Sequence, residues 1–274
     1  MANFQIRPSS QSEVTVSVEW AASEGWNPSL DHLSAFHSAD PEGFLMGYLD
    51  DKAVSSISVV LYGESSGFLG FYIVKSGLRR SGYGWRTWQT GLRHLSNQII
   101  GLDGVLANQA NYRQCVFVLA GRNVRCTGKR GSISAIEMAG IQTVTPERID
   151  HVIAYDSQFF LKNCEGFIRQ WLLDADPGSR WAATYLDRYQ VQALGTIRRR
   201  LSGYKVGQLV AHRQNVAQAV LKELCKSLPG SADVIVDVPE DNQAAVNMIR
   251  SFNFEPNLKT ARISKGTKAN LPIS

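Results

Sequence analysis

Phe68-Leu69-Gly70-Phe71-Tyr72-Ile73-Val74, then Lys75-Ser76-Gly77-Leu78, then Arg79-Arg80-Ser81-Gly82-Tyr83-Gly84-Trp85 is the stretch that decides the fold. The opening run is almost continuously apolar, which suits a strand buried on both faces. Trp85, Trp88, Leu92 and Leu95 then share one face of a helix that begins just after Gly84. Between the two, Gly82 and Gly84 lack a Cβ, so the chain can turn tightly and bring several backbone N–H groups against an anion. The dipole of the following helix and the charges of Arg79 and Arg80 favour the same guest. Taken alone, the glycines fit an ordinary strand-to-helix turn as well as an anion cradle.

Upstream, Ser10 and Glu13 form a capping box for a helix reaching about Ala22, and a short helical stretch lies around Leu33 and Phe36. Phe44 to Leu49 and Val54 to Tyr62 read as strands joined by an Asp50-Asp51 turn, so three antiparallel strands precede the loop. Downstream come a strand over Ile99 to Val105, a short helix over Asn108 to Gln114 and a strand over Val116 to Ala120.

From Ile141 to His151 periodicity lapses, which divides the chain into residues 1–140 and 141–274. The second part repeats the ending of the first. Strands over Gln192 to Arg199 and Tyr204 to Ala211 lead to a helix marked by Val216, Val220 and Leu224, then a strand over Val234 to Val238, a helix over Asn242 to Phe252 and a strand over Phe254 to Ile263. The run Arg198-Arg199-Arg200 near Lys205 reads as a solvated strand edge. The predicted class is α/β (α+β): tandem folds, each a mixed, mostly antiparallel central sheet flanked by helices.

Composition narrows the function classes. The chain has 274 residues, 44% hydrophobic and 19% charged, with formal net charge +5 and pI near 9.0. That balance is globular and too diffusely basic to argue for nucleic acid. No run is long enough to span a bilayer, so neither a membrane nor a nucleic-acid partner is expected and the default location is cytoplasmic. Cys115, Cys126, Cys164 and Cys225 lack paired short spacing, and the histidines offer only His32 and His37 at i, i+5, so no metal is expected. Gly63-Glu64-Ser65-Ser66-Gly67 satisfies Gly-x-Ser-x-Gly, but a strand follows it where a nucleophile elbow needs a helix. Thr87 stands where a dinucleotide fingerprint needs its third glycine.

The loop Arg79-Arg80-Ser81-Gly82-Tyr83-Gly84, set after a meander and before a helix, resembles the pyrophosphate loop Arg/Gln-x-x-Gly-x-Gly/Ala of the GNAT superfamily of N-acetyltransferases. The likeness covers Ile6 to about Arg125, including Asn108-Gln109-Ala110-Asn111-Tyr112 ahead of Val116-Phe117, where the family often has Tyr-x-x-x-Gly-Phe and this chain has Val116 in place of the glycine. The second part is also similar to a GNAT domain of the bacterial two-domain type. Its corresponding turn, His212-Arg213-Gln214-Asn215, has no glycine, so it is expected to bind no coenzyme and instead to cover the acceptor cleft, with Asp237 and Asn242 as polar contacts or structural groups.

The resemblance implies acetyl transfer from acetyl-CoA to a primary amine, a small-molecule amine or amino acid rather than a protein, by direct attack on the thioester. The backbone of Phe71, Tyr72, Ile73 and Val74 would grip the pantetheine arm; Arg79 to Trp85, with Asn108 and Asn111, would complete coenzyme binding. Tyr112 matches the family's acid for the departing thiolate, a role open to a phenol of pKa about 10 facing a thiol of about 8.5. Glu24, Asp40 and Glu64 lie near the sheet mouth as possible bases, with Glu24 preferred. Trp26, Asn27, Phe36, Phe44 and Tyr62 border the acceptor pocket or serve as core. Two readings stay open, a monomeric or homodimeric acetyltransferase and a non-catalytic acyl-CoA sensor or assembly module.

Overall fold

The computed structural model describes residues 3–29, 32–105, 109–134, 137–160, 164–174 and 178–266. The first part contains β1 (Phe4–Pro8), α1 (Gln11–Ser23), α2 (His32–Ala39), β2 (Phe44–Leu49), β3 (Lys52–Tyr62), β4 (Ser66–Val74), α3 (Tyr83–His94), β5 (Ile99–Val105), α4 (Gln109–Gln114) and β6 (Val118–Lys129). The second contains β7 (Ile141–Thr143), α5 (Ile149–Asp156), α6 (Glu165–Leu173), β8 (Arg180–Asp187), β9 (Gln190–Arg199), β10 (Tyr204–Ala211), α7 (Gln214–Leu224), β11 (Asp233–Pro239), α8 (Gln243–Ser251) and β12 (Glu255–Lys265).

Local chemistry sets the element ends. The Ser10 side chain accepts from Glu13 N–H while the Glu13 carboxylate accepts from Ser10 N–H, closing the capping box of α1. Asp50 and Asp51 both take positive φ, 47° and 63°, as a two-residue hairpin turn demands. Ser66 pairs with Tyr62 across the β3–β4 hairpin, so the Gly-x-Ser-x-Gly run is a β-turn. The three strands read before the loop are preceded by a fourth, β1, paired along β2. The strand read over Val116 to Ala120 begins at Val118 and runs to Lys129.

The described strands form one sheet in the order β1-β2-β3-β4-β5-β12-β6-β11-β10-β9-β8-β7. The two parts exchange strands at the centre. The last strand of the chain, β12, pairs with β5 and β6, while β6 also pairs with β11. Hydrogen bonding therefore runs unbroken across the position where sequence periodicity divides the chain.

Alternation along the strands sorts the helices onto two faces. On β3, Ile57 and Val59 meet α3, where Gly91 lets the helix approach closely, while Val60 packs with Val14 and Val18 of α1. On β9, Ala193 and Ile197 face α7, and Leu194 faces α5 and α6. Helices α2 and α6 touch through Phe36, Phe167 and Trp171, so α1, α2, α5 and α6 share one side of the sheet. Between these helix pairs the sheet shows a polar floor of Asp103 (β5), Arg262 (β12), Asn123 and Arg125 (β6) and Asp237 (β11), all partly exposed.

Candidate active site

Strands β4 and β5 are parallel and pair only from Ser66 with Ile99 to Leu69 with Leu102. Past that point they part, and β4 bulges. Ser58 pairs with Gly70 but Ser56 with Ile73, so Phe71 and Tyr72 fill the space of one residue, with Phe71 at φ 45°. The Ser56 hydroxyl donates to the Phe71 carbonyl at 2.9 Å and fixes the bulge. Phe71 to Val74 thus lie along an opening in the sheet.

After Val74 the chain makes a short 3-10 turn over Ser76–Leu78 and enters α3 through Gly82, the N-cap, at φ 85°. Gly82 offers no side-chain cap, and among the described residues the backbone N–H groups of Arg80, Ser81, Gly82, Tyr83, Gly84 and Trp85 meet no acceptor. Orphan donors at a helix start, beside a positive dipole end, suit an anion. Gly84 has its own reason to be glycine, because a Cβ there would lie 2.8 Å from both the Tyr72 hydroxyl and a Val74 methyl. Arg79 braces the loop, donating from Nε to the Val74 carbonyl at 3.0 Å and pairing its guanidinium with Glu24. Arg80, Ser81 and Trp85 are exposed at the mouth, while Tyr83 packs on Phe4.

Tyr112 lies across the opening from the bulge. Its ring covers Gly104 of β5, where a Cβ would come within 2.7 Å, and sits 5.7 Å from Trp88, which also neighbours Tyr72 at 5.2 Å and Phe117 at 5.8 Å. Burial raises the Tyr112 pKa, and burial followed by Tyr112 and Cys115 pushes Tyr72 up to about 12, so both phenols keep their protons at neutral pH. Asn108 and the side chain of Asn111 lie outside the described residues.

The remaining residues named from sequence do not converge on this opening. Glu24 is held by Arg79 at the phosphate-loop end of β4. Asp40 is 7% exposed and accepts from His94 and from the Leu61 N–H, a structural pairing, and Glu64 stands in the β3–β4 turn. Phe44 is core against Val14 and Val18. Phe36 and Tyr62 meet Phe167 at 4.9 and 5.3 Å, where a cleft of about 240 Å³ is lined by Ser38, Tyr62, Cys164, Phe167 and Gln170. Trp26 and Asn27 form a clamp onto the β9–β10 turn: the Asn27 amide donates to the Ser202 carbonyl at 2.8 Å and accepts from its N–H at 2.9 Å. Arg200 donates to the carbonyls of both Trp26 and Asn27.

The basic run is not a solvated edge. β9 is an interior strand, so alternation turns Arg198 and Arg200 toward the polar floor and leaves Arg199 outside. There Asp237 accepts from Arg125 at 2.7 and 2.9 Å and from Lys205. Burial alone would raise Asp237, yet Arg125 and Lys205 hold it well below the carboxylate range, while burial pulls Lys205 down to about 8 against the attraction of Asp237. Asn242 caps α8, accepting from Ala245 N–H at 3.0 Å. The second part also splays, since β10 and β11 pair only at Tyr204 with Val234 and Lys205 with Ile235. Only His212 and Arg213 separate β10 from α7, too short a link to form a phosphate loop.

A doubled splayed sheet with one glycine-capped anion loop defines a tandem acyl-transfer fold. The acetyltransferase (GNAT) family model matches residues 12–115, and an acetyltransferase (GNAT) domain model matches residues 152–273. The chain belongs to the GNAT acyltransferases as a tandem member, and it is a transferase. It is 29% identical over 261 residues to a holothin acyltransferase of Pseudoalteromonas sp. (strain SANK 73390), spanning 95% of this chain and 87% of the relative. A crystal structure from Pyrococcus horikoshii, provisionally assigned as an acetyltransferase, has a TM-score of 0.77 at 20% identity, covering 98% of this chain and 92% of its own. A tandem GNAT protein from the clavulanic acid biosynthesis pathway has a TM-score of 0.65 at 12% identity, covering 97% of this chain and 100% of its own. The two structures share the fold.

Proposed function

We propose that the chain transfers an acyl group, acetyl in the simplest case, from acyl-CoA to a primary amine on a small molecule. The observation that carries this reading is the row of unpaired N–H groups from Arg80 to Trp85 around Gly82, a fit for a diphosphate. Bound there, the coenzyme supplies an activated thioester. The Phe71 to Val74 backbone holds the pantetheine arm in the sheet opening, and the Glu24–Arg79 pair keeps the loop against the end of β4. The amine nitrogen forms the amide bond as the thioester C–S bond breaks. Tyr112, kept protonated by burial, hands its phenolic proton to the sulfur and is replenished by the proton the amine releases. The relative's action on holothin supports a small-molecule acceptor.

A thiol-release assay with acetyl-CoA across small amines, amino acids and lysine peptides tests this. Acceptor-dependent release with small amines is expected; coenzyme binding without release for any acceptor would contradict it.

A further inference from the structure

The floor between the helix pairs carries more positive than negative charge. Arg125, Arg198, Arg200, Lys205 and Arg262 face inward around Asp103 and Asp237. The two carboxylates are engaged: Asp103 by both forks of Arg262, Asp237 by Arg125 and Lys205. Arg200 is tied to the Trp26 and Asn27 carbonyls. Arg198 is left over. Its Nε is buried and has no hydrogen-bond partner among the described residues, and its guanidinium lies 5.3 Å from the Trp171 ring. Burial, followed by the like charge of Arg200, disfavours its cation. A buried guanidinium nitrogen without an acceptor is costly unless a ligand completes it.

The position of this surplus matters. Arg198 and Lys205 lie at the second splay, where β10 leaves β11, and the bulge between Val206 and Leu209 brings Gly207 beside Arg198. A Cβ at Gly207 would overlap the Thr196 hydroxyl and lie 3.3 Å from the Arg198 guanidinium, so only glycine lets the bulge pass this close to both. From β5, beside the first splay, the floor crosses four strand intervals to Lys205 on β10 and five to Arg198 on β9, roughly 19 and 24 Å at about 4.8 Å each.

We propose that the second part of the chain supplies a carboxylate-binding subsite, Arg198 with Lys205, for an extended acceptor whose amine reaches the first splay. The planar fork of Arg198 matches a carboxylate bidentately, and the ammonium of Lys205 adds a point charge. The degenerate GNAT half thereby reads the acceptor's far end. This inference rests on the acyl-transfer reading.

The test compares linear α,ω-aminocarboxylates of increasing length with their carboxamides and the matching aminophosphonates in the thiol-release assay, together with acetyl-CoA titration by calorimetry. An aminocarboxylate spanning the floor should show a KM about tenfold to a hundredfold below its amide. Arg198→Met should erase that difference while leaving the acetyl-CoA affinity and the circular-dichroism spectrum in place. Because Arg198 also stacks on Trp171, Lys205→Met gives a second variant with the same expectation. Equal KM for carboxylate and amide, with turnover intact, overturns the subsite alone. Phosphonates outcompeting carboxylates would overturn the carboxylate assignment. Absence of turnover with every amine, despite coenzyme binding, would take down the acyl-transfer reading as well.

Discussion

Tyr72 and Gly84 are so closely opposed that a Cβ on the glycine would meet the tyrosine hydroxyl at 2.8 Å. The contact joins the opened segment of β4 to the first turn of α3, so the strand that would grip the coenzyme arm and the helix that would hold its phosphates are one rigid corner. Trp88 backs this corner from the helix side and touches both Tyr72, at 5.2 Å, and Tyr112, at 5.7 Å.

Tyr112→Phe should lower turnover by about a hundredfold, the usual scale of a lost general acid, with acetyl-CoA affinity unchanged. Steady-state kinetics beside calorimetry check both halves. Full turnover with a good acceptor would remove Tyr112 from the acid role.

Val116 is 72% exposed and holds φ 64°, a left-handed conformation that a β-branched residue adopts only under strain. It stands where the family often has glycine. Val116→Gly should stabilise the protein by about 1 kcal/mol, the strain relieved less the entropy glycine adds to the unfolded chain, and raise Tm by roughly 2–4 °C. A lower Tm in calorimetric scans would show that the valine is supported by packing.

Asp156 is 2% exposed, and burial lifts its pKa to about 6, opposed by a hydrogen bond from Gln208. Its folded pKa exceeds its unfolded value near 3.8, so the folded state holds a proton that the unfolded chain has lost. Stability is therefore full below pH 3.8 or so, falls as pH rises toward about 6, and stays lowered above that. Asp156→Asn should add about 1–2 kcal/mol at pH 7.5 and almost nothing at pH 4. Denaturant midpoints at the two pH values decide it; a gain equal at both would exclude titration as the cause.

Much of this architecture is legible in the residues because its signals are local. The capping box at Ser10, the apolar β4, the amphipathic α3 and the glycines at 82 and 84 each act within a few positions. What stayed hidden depends on distant partners. The β6–β12 exchange has no local signature, since a strand's own residues do not name which half of the chain will pair with it. The same gap explains Arg198 and Arg200: three consecutive arginines look solvated until the strand is known to lie inside the sheet. Asn27 likewise looks like a pocket residue until the β9–β10 turn is brought against it.

The central claim is that backbone donors beside Gly82 and Gly84 hold the coenzyme's diphosphate. Calorimetric titration of acetyl-CoA into the natural protein and into the Gly82→Val and Gly84→Val variants tests it most directly. Saturable binding that weakens at least about tenfold in each variant, with the fold retained, is the predicted result. Binding that is absent from the natural protein, or undiminished in both variants, would contradict it.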